Sequence, residues 1–282
     1  MNKEKRIEFY LGNIKKLGNH GYSLDCTIDN MEKKHPRYYE AFINLLIKTN
    51  NNNKKFNFVS GDNSTYQHHS YFLKSRGRGS PHDGVLLRCF NFDRHWSHYY
   101  DKPKDMKFDN KINKVIWRGT TTGQPDNPAS RFKLVTKYYN KYPNIDVGFS
   151  FICQGKDDFK KYVKNRLKIT DMLKYKYIIS VEGNDKDSGL NWKLNSNSVI
   201  LMAKPRITTW LMETTLIPDV HYVLLKDDYS DLREKYIWCK NHPNECKQII
   251  KNANMFMKQF NNKEREQDIE EAVINKYFDL TN

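Results

Sequence analysis

The residue types best suited to phosphate chemistry lie just after a short apolar run in the middle of the sequence. Two arginines, a glycine and adjacent hydroxyls share this segment, namely Arg118, Gly119, Thr120, Thr121 and, beyond the loop, Arg131. Backbone N–H groups at a helix start, hydroxyls and guanidinium groups are the donors that bind a diphosphate. The pattern predicts a phosphate-binding turn between a strand and a helix, and an ordinary βα turn capped by threonines is the alternative. A Walker loop is excluded, because no Gly-Lys-Ser/Thr follows the glycines.

A second segment of this kind follows the apolar run at residues 175–181. It combines an acidic residue, glycines and polar side chains, namely Glu182, Gly183, Ser188, Gly189, Asn191, Trp192 and Lys193. In an open α/β sheet, ligands bind where loops leave the carboxyl ends of the strands, so two such loops can hold one nucleotide. Asp185 and Asp187 also form an Asp-x-Asp pattern, whose carboxylates bind a divalent cation in some proteins and lie in a solvated loop in others.

A single carboxylate, Asp62, follows the apolar run at residues 55–60. A carboxylate that comes after a strand and a glycine can project into a cleft and act as a general base. Turn formation is the alternative, because Gly61, Asp62 and Asn63 are the residue types that turns use. The histidine pairs of the chain have no cysteine or carboxylate partner at a metal-binding spacing, so the sequence predicts no metal site.

The elements that must position these residues follow from hydrophobic patterning. From about residue 114, short β-branched runs alternate with helical patterns, which is typical of βα units around a parallel sheet. We predict strands at residues 114–117, 145–153, 177–181, 198–202 and 220–225. Helix starts are predicted at Asn127-Pro128 and at His242-Pro243, because proline is favoured in the first helical position.

The first half of the chain has a less regular pattern. It predicts a basic N-terminal helix, a helix near residues 37–48, and strands at 56–60 and 84–92 that flank a polar loop. The segment 243–278 is predicted to be mostly helical and to cross back to the first lobe. Asp83 and Asp93 are further carboxylates expected to line the same cleft as Asp62.

Composition restricts the class of partner. The 282 residues include 48 Lys and Arg against 33 Asp and Glu, and the resulting net charge of +15 attracts nucleic acid, nucleotide phosphates or anionic membranes. The five cysteines are odd in number and lack a CxxC pair, which predicts reduced thiols. Because no apolar run has the length of a signal peptide or a membrane span, we expect a cytoplasmic protein.

The same segments resemble glycosyltransferase family 90, the group that includes the protein O-glucosyltransferases and short viral enzymes. The matches run in order over roughly residues 55–260. The family's aromatic-Arg-Gly-Ser/Thr stretch is similar to Trp117-Arg118-Gly119-Thr120, and further family strands are similar to residues 174–177, 197–200 and 221–226. One loop departs from the family, since many members have Ser-aromatic-Arg where this chain has Ser188 to Lys193, and Lys193 is the candidate replacement for the arginine.

The resemblance implies an α/β fold of the GT-B type, with two Rossmann-like lobes and a cleft between them. We expect an acceptor-side lobe at residues 1–108, a donor lobe at 109–245 and bracing C-terminal helices at 246–282. It also implies an inverting transfer without an essential metal or other cofactor, from UDP-xylose or UDP-glucose to a hydroxyl of a glycan or glycoprotein. The short chain and its Asn/Lys-rich composition favour a viral or microbial enzyme in the host cytoplasm, with a viral capsid glycan as a candidate acceptor.

In this hypothesis Asp62 matches the position of the family's catalytic aspartate and takes the acceptor proton. Arg118, Arg131 and Lys193 would stabilise the departing UDP. Two other functions remain open. The charge and interleaved aromatics are also found in nucleic-acid-binding proteins, and Asp185 with Asp187 would serve a metal-dependent transferase.

Overall fold

The fold is described here from a computed structural model, over residues 1–17, 24–31, 36–59, 61–62, 69–77 and 82–281. Asn63 and Ser60 of the predicted Asp62 segment lie outside these residues. The α-helices are α1 (Lys3–Leu11), α2 (Pro36–Lys48), α3 (His98–Tyr100), α4 (Arg131–Tyr138), α5 (Ile169–Met172), α6 (Leu190–Leu194), α7 (Leu232–Asn241), α8 (Pro243–Lys258) and α9 (Lys263–Thr281). The strands are β1 (Asn57–Phe58), β2 (Tyr71–Leu73), β3 (Val85–Leu86), β4 (Ile112–Thr120), β5 (Ile145–Phe151), β6 (Tyr175–Ile179), β7 (Val199–Met202) and β8 (Val223–Leu224).

The chain divides into two compact units. The first contains Met1–Arg94, Arg206–Thr214 and Gln259–Asn282, and the second contains His95–Pro205 and Thr215–Lys258. Helix α8 therefore belongs to the second unit and α9 to the first. The lobe bounds expected from the sequence, at residues 108 and 245, stay a prediction.

The second unit is built on a five-stranded parallel sheet in the order β5-β4-β6-β7-β8. Alternate side chains of its strands, such as Val115, Trp117 and Val147, pack with α4, α7 and α8 into one apolar core. The chain runs from β4 to β5 on one side and then to β6 on the other side of β4. The strand order thus reverses between β4 and β6, which is the position where open α/β sheets bind ligands.

The first unit contains a three-stranded parallel sheet in the order β1-β2-β3. Helix α9 packs against α1, and buried Arg6 of α1 donates from Nη2 to Oε2 of Glu266 at 2.7 Å. The Trp210 indole donates to the same carboxylate oxygen at 2.7 Å. This buried network ties together three separate stretches of the sequence.

The prediction of a mixed α/β protein with parallel strands is confirmed, and each of the five strands predicted after residue 114 is present. The predicted strand at 84–92 is wrong beyond Leu86, because residues 89–97 form helical turns. The predicted cap at Asn127 is also wrong. Helix α4 begins at Arg131, and its cap is Ser130, whose Oγ accepts a hydrogen bond from the Lys133 amide at 3.2 Å. Ala129 has a φ of +52°, which keeps the helix from starting earlier.

Candidate functional site

The loops that follow β4 and β6 touch at the point where the strand order reverses. We call residues 120–123 and 181–189 the switch-point loops. The Gly123 amide donates to Oδ1 of Asn184 at 2.8 Å. A Cβ atom added to Gly183 would lie 2.6 Å from Oγ1 of Thr122, so only glycine permits this approach. The two strand-to-helix junctions therefore lie side by side, and their binding of one nucleotide stays a prediction.

Arg131 joins the two switch-point loops from the first position of α4. Its Nη1 donates to Oγ1 of Thr122 at 2.7 Å and to the carbonyl of Thr120 at 3.1 Å, and its Nε donates to the carbonyl of Glu182 at 3.2 Å. The guanidinium carbon also lies 5.9 Å from the centroid of the Trp117 ring. A cation is therefore held between the carboxyl ends of β4 and β6.

Asp187 of the β6 loop and Lys193 of α6 form an ion pair, and both side chains are almost fully buried. The Asp187 carboxylate also accepts from Oγ of Ser180 at 2.7 Å and from the Gly189 amide at 2.9 Å. Burial by itself raises the pKa of Asp187, but Lys193 and these hydrogen bonds outweigh burial and hold the pKa below its ordinary value. Lys193 is thus a fixed cation with a partner, and the Asp187 carboxylate is already engaged.

The other predicted residues of the β6 loop and of α6 are mostly buried. Asn191 is fully buried, and its Oδ1 accepts from Nζ of Lys186 at 2.5 Å. Its Nδ2 has no hydrogen-bond partner within the described part of the chain. Trp192 is buried, and a Cβ on Gly189 would lie 3.0 Å from its Nε1. Ser188 is half-buried.

Arg118 lies apart from Arg131, on the opposite face of β4. Neighbouring strand residues point to opposite faces, and Trp117 faces the core that contains α4. The Nη2 of Arg118 donates to both carboxylate oxygens of Asp146, at 2.9 and 3.0 Å. Lys164 donates to the same carboxylate at 2.7 Å. Burial raises the pKa of Asp146, but Arg118 and Lys164 overcome that effect and keep the pKa low.

This Arg118 side of the sheet forms an open, strongly basic cavity of about 730 Å³. Its lining contains one carboxylate, that of Asp146, and four cationic side chains, which are those of Lys114, Arg118, Lys141 and Lys164. The two arginines that the sequence indicated as a pair thus belong to different surroundings. The partner of Arg118 was missed because Asp146 lies on another strand.

Gly119 and Thr121 determine how the end of β4 and the loop that follows it pack against their neighbours. A Cβ on Gly119 would lie 2.5 Å from the Trp117 ring, so glycine makes room for the indole. Thr121 is fully buried, its hydroxyl donates to the Cys153 carbonyl at 2.9 Å, and its Oγ1 accepts from the Cys153 amide at 2.8 Å. Both residues position the β4 loop against its neighbours.

In the first unit, Asp62 lies at the carboxyl edge of the three-stranded sheet. Its carboxylate forms an ion pair with Nζ of Lys74, the residue directly after β2. The Asp62 side chain keeps 29% of its surface exposed, whereas that of Lys74 keeps 5%. The partly exposed carboxylate of Asp62 is therefore held in place by the buried ammonium of Lys74. The sequence did not indicate Lys74 as the partner of Asp62, because no strand was predicted at residues 71–73.

Asp83 and Asp93 lie in different surroundings from Asp62. Asp83 precedes β3, at the amino edge of the sheet, where it accepts from Nδ2 of Asn13 at 2.8 Å and lies 2.6 Å from Nδ1 of His69. Asp93 is exposed in the helical turn Phe92–Ser97. Among the residues that the structure describes, no group of three His, Cys, Asp or Glu side chains has an arrangement that would hold a metal ion.

Comparison with known proteins identifies the family. The sequence model for "Glycosyl transferase family 90" matches residues 91–282, which include both switch-point loops and exclude Asp62. The chain belongs to this family. Family membership establishes a glycosyltransferase, with a sugar donor and an acceptor, as the class of protein.

Relatives of the chain come from bacteria, animals and viruses. It is 32% identical to "O-glucosyltransferase LpsA" of Dichelobacter nodosus, over 88% of this chain and 74% of that protein. It is 31% identical to "Protein O-glucosyltransferase 2" of Danio rerio, over 50% of this chain and 28% of that protein. An uncharacterised protein, 179R, of Invertebrate iridescent virus 6 is 34% identical over 33% of this chain and 8% of its own length. In the described residues, no helix combines the length and apolar character needed to cross a membrane.

Proposed function

We propose that the chain is an inverting, metal-independent glycosyltransferase that moves xylose or glucose from a UDP-sugar to a hydroxyl of a glycan or glycoprotein. The observation that carries the proposal is the meeting of the two switch-point loops around Arg131. The two units would be the two lobes of a GT-B fold, with the donor bound by the second unit.

The donor side of the proposal rests on charge at the switch point. The diphosphate lies against the loops after β4 and β6, where Arg131 is held by Thr122 and by backbone carbonyls. A charge-assisted hydrogen bond contributes about 1.5 to 3 kcal/mol. As the sugar leaves, negative charge develops on the β-phosphate, and a fixed guanidinium stabilises that charge without reorganising.

The acceptor side rests on Asp62. Its carboxylate takes the proton of the acceptor hydroxyl while the hydroxyl oxygen attacks the anomeric carbon. The bond from that carbon to the β-phosphate oxygen breaks, and UDP leaves with the electron pair. Direct displacement inverts the anomeric centre and needs one carboxylate, whereas a glycosidase needs two carboxylates across the bond. Lys74 positions the Asp62 carboxylate through their ion pair.

The contacts of Asp187 favour a metal-independent reaction over a reaction through an Asp-x-Asp site. Metal binding by Asp187 would have to displace Lys193, which pairs with that carboxylate inside the protein. The glucosyltransferase names of the bacterial and animal relatives support glucose as a donor sugar. The viral relatives are compatible with a viral glycan acceptor in the host cytoplasm.

The deciding experiment measures slow release of UDP from a panel of UDP-sugars without an acceptor. We expect UDP-glucose or UDP-xylose to release UDP above the rate without protein, in EDTA as well as in Mg²⁺ or Mn²⁺. GDP-mannose is the control for the nucleotide. Activity that disappears in EDTA and returns with metal would favour the metal-dependent alternative, and release from none of the UDP-sugars would contradict the proposal.

A further inference from the structure

A second cavity of the second unit, of about 500 Å³, lies beside the edge strand β8 and between α7 and α8. In the sheet it is two strands away from β6 and the switch point. Its volume falls in the range of about 300 to 1,000 Å³ that small-molecule sites occupy. The cavity is therefore separate from the proposed donor site.

One side of this cavity is apolar. Buried Val223 and Ile249 line it, together with the half-buried indole of Trp238. The His242 ring stacks on the indole, with ring centroids 4.8 Å apart and an interplanar angle of 13°. The indole is thus held in place by a neighbour on its own helix end, and the cavity offers a fixed aromatic surface.

The other side is polar and has unused hydrogen-bonding capacity. Glu234 and Glu245, both exposed to solvent, and the half-buried Lys235 line it, and their side chains have no hydrogen-bond or ion-pair partner in the described part of the chain. The Trp238 indole N–H likewise has no acceptor among the described residues. Asp219 also lines the cavity and accepts from the Leu224 amide at 3.1 Å.

The mixture of groups selects the class of ligand. The charged groups of the cavity are three carboxylates and one ammonium, so an anion is disfavoured although the whole chain carries +15. Lys235 offsets one of the three carboxylates, and a small cation would leave the apolar side and the indole without a contact. A saccharide fits both sides, because its hydroxyls donate to carboxylates and accept from Lys235 and the indole N–H, while its C–H face packs on Trp238, Val223 and Ile249.

We propose that this cavity binds a neutral saccharide unit of the acceptor glycan, at a distance from the site of transfer. The identity of that saccharide as part of the acceptor rests on the proposed function. Binding itself does not require catalysis, so it is measured on the intact protein without a nucleotide sugar.

The experiment follows the Trp238 indole N–H in ¹H–¹⁵N spectra during titration with short neutral oligosaccharides of glucose, xylose, mannose and galactose. Trp238→Phe identifies the resonance by its disappearance. We expect at least one oligosaccharide to shift this resonance saturably and to leave the other indole signals in place. The double variant Glu234→Gln with Glu245→Gln should bind that oligosaccharide at least about tenfold more weakly. Glu264→Gln, an exposed glutamate of α9, is the matched control and should bind it as the parent does.

Saccharide binding and the donor reaction are tested by separate measurements. If no oligosaccharide shifts the Trp238 resonance, or if a lysine-rich peptide shifts it and the saccharides do not, the saccharide site is refuted. UDP release from the parent protein tests the donor reaction separately, because it involves no acceptor. Equal weakening by Glu264→Gln would also overturn the assignment.

Discussion

Gly123 and Gly183 bring the two switch-point loops into backbone contact. A Cβ atom on Gly123 would lie 3.0 Å from the carbonyl oxygen of Gly183, and Gly123 has a φ of +89°. Residues that carry a side chain rarely adopt this backbone conformation, and Cβ atoms rarely approach a carbonyl so closely. The loops can therefore hold Arg131 between them only while both positions are glycine.

Gly183→Ala should weaken UDP binding by about tenfold or more. The added Cβ would lie 2.6 Å from Oγ1 of Thr122 and 2.8 Å from Nη2 of Arg131, so the guanidinium must move. A displaced guanidinium loses a contact of about 1.5 to 3 kcal/mol. Titration calorimetry with UDP measures the change. Gly155→Ala is the control, because no atom lies within 4 Å of its added Cβ and only its φ of +65° strains the backbone. Equal loss of UDP affinity in both variants would contradict the role of the contact.

Arg131→Ala and Arg118→Ala should have different effects, because the two side chains lie on opposite faces of β4. We expect Arg131→Ala to weaken UDP binding about ten- to a hundredfold. Arg118→Ala should leave UDP affinity nearly unchanged and lower thermal stability, because Asp146 loses its bidentate partner. UDP calorimetry and thermal melts of both variants measure this. If Arg118→Ala weakens UDP binding as much as Arg131→Ala, the basic cavity rather than the switch point is the donor site.

The sequence indicated where the switch-point loops lie, but it did not indicate which groups the charged side chains pair with. The alternation of strands and helices after residue 114 implies parallel strands, and parallel strands bring the loops after β4 and β6 to one edge. Strand alternation places Arg118 on the opposite face of β4 from Trp117, and therefore from Arg131. The sequence motif instead suggested that the two arginines act together.

Ion-pair partners depended on contacts that local pattern does not encode. Asp146 meets Arg118 because β5 pairs with β4 in one register, and a shift by one residue would turn its side chain to the other face. Lys193 of α6 meets Asp187 of the preceding loop, and the fold of that loop rather than the spacing decides which charge is neutralised. The same limit applied to Lys74, since residues 59–70 separate β1 from β2 in the sequence and no strand was predicted at β2.

Asp187→Asn should lower the free energy of unfolding at neutral pH by about 3 to 5 kcal/mol, because Lys193 would remain buried without its counter-charge. The pKa of Asp187 is lowered in the folded state, so its contribution is present above the unfolded pKa and is lost as pH falls through the folded value. The difference between parent and variant should therefore shrink below about pH 4. Urea unfolding at neutral and acidic pH measures it.

Asp171→Asn is the matched control for this prediction. Asp171 forms an ion pair with Lys174 at 2.9 Å, but both side chains are exposed to solvent. We expect a much smaller change in the free energy of unfolding at neutral pH, because exposed pairs are weakened by solvent. A difference between parent and Asp187→Asn that stays constant down to strongly acidic pH would show that the ion pair does not carry the stability.

Binding to nucleic acid should be weak and should disappear with salt. Lys114, Lys141 and the neighbouring cations of the Arg118 cavity will retain polyanions at low salt. A dedicated binding protein that makes many phosphate contacts loses about 10³- to 10⁵-fold in affinity between 50 and 200 mM salt, and still binds specifically. We expect only nonspecific retention, measured by fluorescence anisotropy with duplex and single-stranded probes. A sequence-specific complex at physiological salt would favour the nucleic-acid-binding alternative.

Asp62→Asn should abolish most of the transfer while sparing donor binding. A general base contributes about 10²- to 10⁴-fold to rate and little to donor affinity. Asparagine keeps the shape of the side chain and removes the proton acceptor, so UDP affinity and melting temperature should stay close to those of the parent. Transfer from the UDP-sugar to an acceptor should fall by at least about two orders of magnitude.

Lys74 and Asp83 supply the comparisons that separate a base from a turn residue. Lys74→Met removes the ion pair that anchors Asp62 and should lower the transfer rate less than Asp62→Asn does, because the carboxylate remains. Asp83→Asn changes a carboxylate at the other edge of the same sheet, held by Asn13 and His69, and should leave transfer largely intact. If Asp62 serves only as a turn residue, asparagine replaces it equally well and activity persists. Robust transfer by a folded Asp62→Asn protein would therefore refute the assignment, and a large loss in Asp83→Asn would move the search for the base to the amino edge of the sheet.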